Sequence, residues 1–301
     1  MKFLKALKNL FKIALIAFAF IASKYLARFL GWLKSGTVIY REKHLCTPVV
    51  HLVHPKTKRR IILMGMMHVG DPEYFQELQH VLNTLKEYRV LYEGIGTINA
   101  EQKLLFSEKE QEIFNAMEKS MSDRNIMSAF LRLQGQRDGL NYEASWIRTD
   151  MSQFDLIRAM AAKGLGWTKA PKFPGVNEKI ESLIVTWLLN ALLIRMQVLF
   201  LFLKLFHFGK EEKAALQDII ITERNKIAVD GILEHVQHDH VVSIWGAAHL
   251  PGMISLLNKQ GYREQERTWF KAYRDRNEYG KQILDEIIAQ SKTREKAKQK
   301  N

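Results

Sequence analysis

Two stretches decide how this chain folds: Ile61–Phe75, IILMGMMHVGDPEYF, and Val241–Leu257, VVSIWGAAHLPGMISLL. Each begins as an apolar run of strand type, stops at Gly-x-x-His, and passes through a proline into a helical pattern. With 17 Gly and 10 His among 301 residues, chance supplies about 0.6 such matches, so the motif alone says little. Its context says more, because both copies sit between an apolar strand and a helix. In open α/β sheets, ligands bind beyond the carboxyl ends of the strands. His68 and His249 both reach that edge, where Gly65 and Gly246 let the backbone bend or pack closely. A third short strand, VLYE from Val90, brings Glu93 to the same edge. Three strand ends thus offer His, Glu and His to one point.

Two imidazoles and a carboxylate suit a borderline divalent ion such as Mn, Co, Fe or Zn, with open positions for water and substrate. Without a metal, the same trio serves as general acid and base. The plainer account has both histidines capping strands through hydrogen bonds. Arg224, in ITERNKIAVDGI, lies on the helix ahead of the second motif. It reads either as a surface salt-bridge partner or as a guanidinium that orients a carboxylate or stabilises an oxyanion. Asp150, in WIRTDMSQFDLI, reads first as the cap of a helix starting near Ser152. His235, His238 and His240, in HVQHDH, read as a solvated loop at a helix end. EGIGTIN, from Glu93, has Asn99 where a dinucleotide fingerprint needs its third glycine, and there is no Gly-x-Ser-x-Gly, His-Glu-x-x-His or Walker A.

Around these motifs, an apolar strand over Pro48–Val53 and the turn HPKTKRR predict a hairpin into Ile61–Met64. Helices are expected over Pro72–Arg89, Glu211–Val236 and Pro251–Gln260, and a last strand over Glu264–Tyr273. The region from Asn99 to about Lys179 reads as mostly helical. The most hydrophobic segment, Ser182–Phe208, carries Asn190, Arg195 and Gln197; it is either a buried core helix or helical hairpin, or a helix in contact with membrane. At the N-terminus, Lys2, Lys5, Lys8 and Lys12 fall on one helical face. The uncharged run Ile13–Ser23 is too short to span a bilayer. A basic amphipathic helix in the membrane interface, a signal sequence or anchor, and an ordinary soluble helix all fit.

The 45 basic and 32 acidic residues give a net charge of +13, which favours anionic surfaces. Basic residues flank apolar segments and no nucleic-acid module is present, so the expected partner is a membrane lipid surface rather than nucleic acid. A single cysteine, Cys46, excludes a disulfide framework and a cysteine-based zinc site. The expected organisation is a membrane-associating segment over 1–36, an α/β domain over 37–285, and a basic disordered tail over 286–301. Within the domain, 99–210 forms a helical insertion that includes the apolar stretch 182–208.

Taken in order, GMMH, LYEG, TERN and GAAHLPGM resemble the TraB/Tiki family, also called PrgY/GumN, within the erythromycin-esterase-like and ChaN-like superfamily. The resemblance runs from about Val49 to Tyr273. It implies an α/β fold, a central mixed sheet with flanking helices and a helical insertion. Its paired Gly-x-x-His motifs correspond to Gly65–His68 and Gly246–His249, its glutamate to Glu93 and its helix arginine to Arg224, with Asp150 falling near an acidic position. It further implies a metal-dependent hydrolase or peptidase, with Mn or Co the expected ion as in the Tiki branch; other members are linked to shutdown of peptide pheromones. The expectation is a membrane-associated metallohydrolase acting on a peptide or protein. His68, Glu93 and His249 would hold the ion, and Glu93, Arg224 and Asp150 would serve the chemistry. The alternatives are a non-catalytic membrane regulator that sequesters a peptide or protein, a metal-independent esterase-like hydrolase, and a haem- or iron-binding role.

Overall fold

A computed structural model describes residues 37–130, 133–167 and 210–274. The N-terminal segment, the apolar stretch 182–208 and the basic tail lie outside the described residues. Among those described, no helix is long and apolar enough to cross a membrane.

The chain first lays down β1 (Ile39–Arg41), β2 (His44–Val53) and β3 (Arg60–Met66), each antiparallel to the one before. The expected hairpin through HPKTKRR therefore forms, with β2 beginning four residues earlier than the apolar run predicts. The other strands of this sheet are β5 (Tyr88–Tyr92), β7 (Ile147–Arg148), β8 (His240–Gly246) and β9 (Arg263–Arg274). The sheet order is β1-β2-β3-β8-β5-β7, with β9 added antiparallel to β2. β8 is the central strand, parallel to β3 on one side and β5 on the other, and β7 runs parallel to β5. The sheet is mixed, and its parallel half brings four carboxyl ends to one edge. Two short strands, β4 (Val69–Gly70) and β6 (Gln134–Gly135), pair separately.

Both sheet faces are buried, which is why β3 and β8 are almost continuously apolar rather than alternating. On one face, Leu63, Val241 and Trp245 pack with α7 (Arg224–His235) and α8 (Leu250–Lys259). On the other, Ile62, Met64, Val242 and Ile244 meet Phe75, Leu78 and Leu82 of α1 (Pro72–Thr84). Each such buried side chain contributes about 1.5–3 kcal/mol relative to exposure. The insertion supplies α2 (Ala100–Leu104), α3 (Glu108–Phe130), α4 (Gln136–Gly139) and α5 (Gln153–Ala162). A separate core forms there, where Ile113, Phe114 and Met117 pack against Ile157, Met160 and, from the later π-helical stretch, Ile219.

Three sequence expectations need revision. The helix expected over Pro72–Arg89 ends at Thr84, because Tyr88–Tyr92 pairs with β8 and becomes β5. Its aromatic and β-branched content, YRVLY, favours a strand once a partner exists. The region after Asn99 is helical but contains β6 and β7; two residues per strand leave no periodicity to read. The helix expected over Glu211–Val236 forms as α6 (Lys210–Gln217) running on to α7, but between them lies a π-helical stretch, Asp218–Glu223.

Candidate active site

The parallel strands place the site. β3 and β8 pair in register through Met66 and Gly246, and β5 pairs with β8 through Tyr92 and Ile244. The Glu93 N–H then donates to the Ile244 carbonyl at 2.9 Å, extending the ladder one residue beyond β5. Its side chain turns across the end of β8. Glu93 Oε2 accepts the Gly246 N–H, and Oε1 accepts Arg224 Nη2 at 2.6 Å. Gly246 is the hub. A methyl group built there would stand 3.1 Å from Glu93 Oε2, 3.5 Å from His249 Cδ2 and 3.7 Å from His68 Nε2. The three residues expected to converge therefore do so around one α-carbon that carries no side chain.

Each imidazole is aimed by an amide that sequence reading missed. His249 is buried, lies edge-on to Trp245, and its Nδ1 contacts Asn225 Oδ1 at 2.7 Å. His68 is exposed, and its Nδ1 contacts Gln136 Oε1 at 3.1 Å. The Gln136 backbone N–H also donates to the His68 carbonyl, and its Nε2 donates to the Tyr142 hydroxyl. An amide oxygen only accepts, so Nδ1 carries a proton in both rings, and Nε2 is the nitrogen left to face the site. Metal-binding histidines are held by the same device. Asn225 had a signal of sorts, as the last letter of TERN. Gln136 had none, because it comes from the insertion.

Behind these groups lies a buried ion network. Arg224 donates Nε and Nη2 to the two Asp150 oxygens at 2.9 and 2.7 Å, Nη2 again to Glu93, and Nη1 to the Ile220 carbonyl. Four of its five N–H groups are thus engaged within the protein, and the guanidinium lies 5.4 Å from the Trp245 ring centroid. Asp150 also accepts the N–H groups of Gly94 and Met151. Ser152, not Asp150, caps α5. The surface salt bridge and the helix cap are both set aside, since these side chains are buried against each other. Arg224 enters from the end of the π-helical stretch, a feature frequent at functional sites.

The electrostatics follow from this packing. Burial pushes the Glu93 carboxyl up, but His68, Arg224, His249 and the Gly246 N–H together hold it below the ordinary carboxylate value. Burial, foremost, brings His249 down to about 4, against the pull of Glu93. For Arg224, burial works against the charge, and the two carboxylates more than offset it.

The donors that a divalent ion would need, as the family resemblance implies one, are two imidazole Nε2 atoms and a carboxylate, with both Nδ1 atoms fixed by amide oxygens. Among the described residues, no group of three His, Cys, Asp or Glu side chains is placed to hold a metal ion. His249 Nε2 lies 3.7 Å from Glu93 Oε1, beyond hydrogen-bond reach. A cleft of about 570 Å³ lined by Leu82, Tyr88, Arg89 and Trp146 opens at the start of β5, the end away from Glu93, and contains none of these groups. His235, His238 and His240 lie at the start of β8, the far edge of the sheet.

Neither a curated protein nor a solved structure matches the chain. The sequence profile of the TraB/PrgY/gumN family matches residues 99–265, more than half of the chain, and so covers Asp150, Arg224 and the second Gly-x-x-His. The first Gly-x-x-His and Glu93 precede the matched span and join it in space around Gly246. A family profile of this extent, on a sheet that gathers both motifs at one edge, makes the chain a member of the TraB/PrgY/gumN family.

Proposed function

We propose that the protein is a membrane-associated, metal-dependent hydrolase that cleaves peptide bonds, with its reactive site at His68, Glu93 and His249. The observation that carries this reading is the convergence of the three side chains on Gly246, each imidazole presenting Nε2 with Nδ1 held by an amide. His68, Glu93 and His249 would hold the ion; Mn or Co fits first, with Fe or Zn also compatible. A bound divalent ion would supply a nucleophile at neutral pH and polarise the scissile carbonyl.

The protonation states favour ligands over bases. A general base works best with a pKa near the working pH. Glu93 is held low and His249 sits at about 4, so both are deprotonated and available as donors at neutral pH. Arg224 and Asp150 act through Glu93: they fix its carboxylate and balance its charge.

Membrane association rests on the +13 charge and on the N-terminal and 182–208 segments; co-sedimentation with anionic but not neutral vesicles checks it. A metal-independent hydrolase is the second reading, favoured by the full engagement of Glu93 with Arg224 and the Gly246 N–H. Elemental mass spectrometry of the purified protein beside the His68→Ala/His249→Ala variant, with cleavage of a peptide mixture followed in parallel, separates the two. Near-stoichiometric ion and cleavage, both lost in the folded variant, support the metal reading. Cleavage that survives exhaustive chelation supports the second. No cleavage with any of the four ions, together with retained biological function in the double variant, transfers the role to a non-catalytic regulator that sequesters its partner.

A further inference from the structure

Arg148 is the cation that the ion network leaves unused. Arg224 spends four of its N–H groups on Glu93, Asp150 and Ile220. Arg148, at the carboxyl end of β7, is exposed, and only its Nη1 is engaged: it donates to the carbonyls of Gly94 at 3.0 Å and Asp150 at 3.3 Å. Among the described residues, Nε and Nη2 have no partner, and no carboxylate pairs with the guanidinium. The side chain lies along the loop that follows Glu93, against Gly94 and Gly96. A methyl group on Gly94 would stand 3.4 Å from the Tyr92 ring and 3.8 Å from Arg148 Cδ, and one on Gly96 would stand 3.8 Å from Arg148 Cζ, so Tyr92 and the arginine flank the same glycine-containing loop.

From Tyr92, a run of aromatic contacts leads to the residue that holds His68. Tyr92 meets the Tyr142 ring at 5.2 Å, Tyr142 meets Trp146 at 5.3 Å, and the Tyr142 hydroxyl accepts from Gln136, the residue that holds His68. Tyr142 is a third exposed, at 36%. An aromatic shelf next to a half-free guanidinium suits a ligand with an apolar side chain beside a carboxylate: the ring takes the side chain, and the planar N–H pair takes the two oxygens.

We infer that Arg148, with Tyr92 and Tyr142, forms a substrate subsite for a carboxylate flanked by an apolar side chain. This rests on the hydrolase reading for its use in turnover, but not for binding. The shared chemistry is a carboxylate, either a peptide's C-terminus or an acidic side chain.

The test uses three versions of one short peptide ending in phenylalanine: the free acid, the C-terminal amide, and an amide with glutamate next to the phenylalanine. Binding to the full chain is followed by tryptophan fluorescence, and cleavage by mass spectrometry on the same samples. The free acid is expected to bind about tenfold tighter than the plain amide, the worth of a charged hydrogen bond, with the difference shrinking at high salt. Recovery in the third peptide assigns the carboxylate to a side chain; no recovery assigns it to the terminus. Arg148→Gln is expected to erase the preference while keeping affinity for the amide, whereas Arg89→Gln, at the far edge, keeps the preference. If Arg148 only staples the Gly94 loop, Arg148→Gln weakens all three peptides equally, which overturns the inference. Equal binding of acid and amide by the wild type, or no binding of any peptide, overturns it too. Selective binding without cleavage would sink the hydrolase reading and leave the subsite standing; cleavage without carboxylate preference would do the reverse.

Discussion

Strand β8 has histidines at both ends, and the two ends behave differently. At its start, three histidines crowd into six residues of sequence, HVQHDH. There His238 is exposed, His240 Nδ1 accepts the Arg60 N–H at 3.3 Å, and Arg59 donates to the carbonyls of His238 and Gln237. Those contacts tie a hairpin turn to a helix end, and among the described residues no side-chain amide aims the rings. At the other end, one histidine per motif suffices, because the sheet brings together residues separated by up to 181 positions, His68 and His249. Each ring there is locked by an amide, and the carboxylate between them is locked by a buried arginine. Closeness in sequence makes a cluster of residues; convergence with oriented support makes a site.

Removing Arg224 probes that support most harshly. Arg224→Met leaves Glu93 and Asp150 buried without their counter-charge, and loss of one partner from a buried ion pair costs about 3–5 kcal/mol. Chemical denaturation should show that loss. A variant within about 1 kcal/mol of wild type would mean the network is solvated and the two ends of β8 less different than described.

Next in size are the amides. Asn225→Ala and Gln136→Ala each lose the acceptor that fixes a ring, and losing a partner that orients a metal-binding imidazole costs about 10–100-fold in metal affinity or activity. Ion-binding titrations should show it, with the exposed His68 side less damaging to stability than the buried His249 side.

A smaller effect is expected with pH. With no ion bound, His249 has its folded pKa at about 4, below the unfolded value of 6.5, chiefly through burial. The unfolded chain therefore binds the extra proton first, so stability is full above pH 6.5 and falls as pH drops toward 4. Melting temperatures of His249→Gln should lack this component. The smallest effect is at the far edge: His238→Ala should leave stability within about 0.5 kcal/mol of wild type and activity unchanged.

Much of the fold was legible because buried parallel strands write long apolar runs, and Gly-x-x-His marks where two of them stop. Glu93 was legible as the end of a third. β7 and the π-helical stretch were not, the first being two residues long and the second differing from an α-helix by one residue of register. Arg224 and Asp150 appeared in sequence as separate polar residues on amphipathic patterns; only the sheet, which sets β7 beside β5, pairs them. Gln136 and Asn225 are neutral amides with no periodicity, and their role lies in which way one oxygen points.

The most direct test of the convergent site is turnover by His68→Ala on whichever peptide the wild type cleaves, with the melting temperature measured beside it. His68 is exposed, so the fold loses little when its ring is removed. The account predicts an unchanged melting temperature and activity reduced by at least about 10²-fold. A variant that melts like wild type and remains fully active would contradict it.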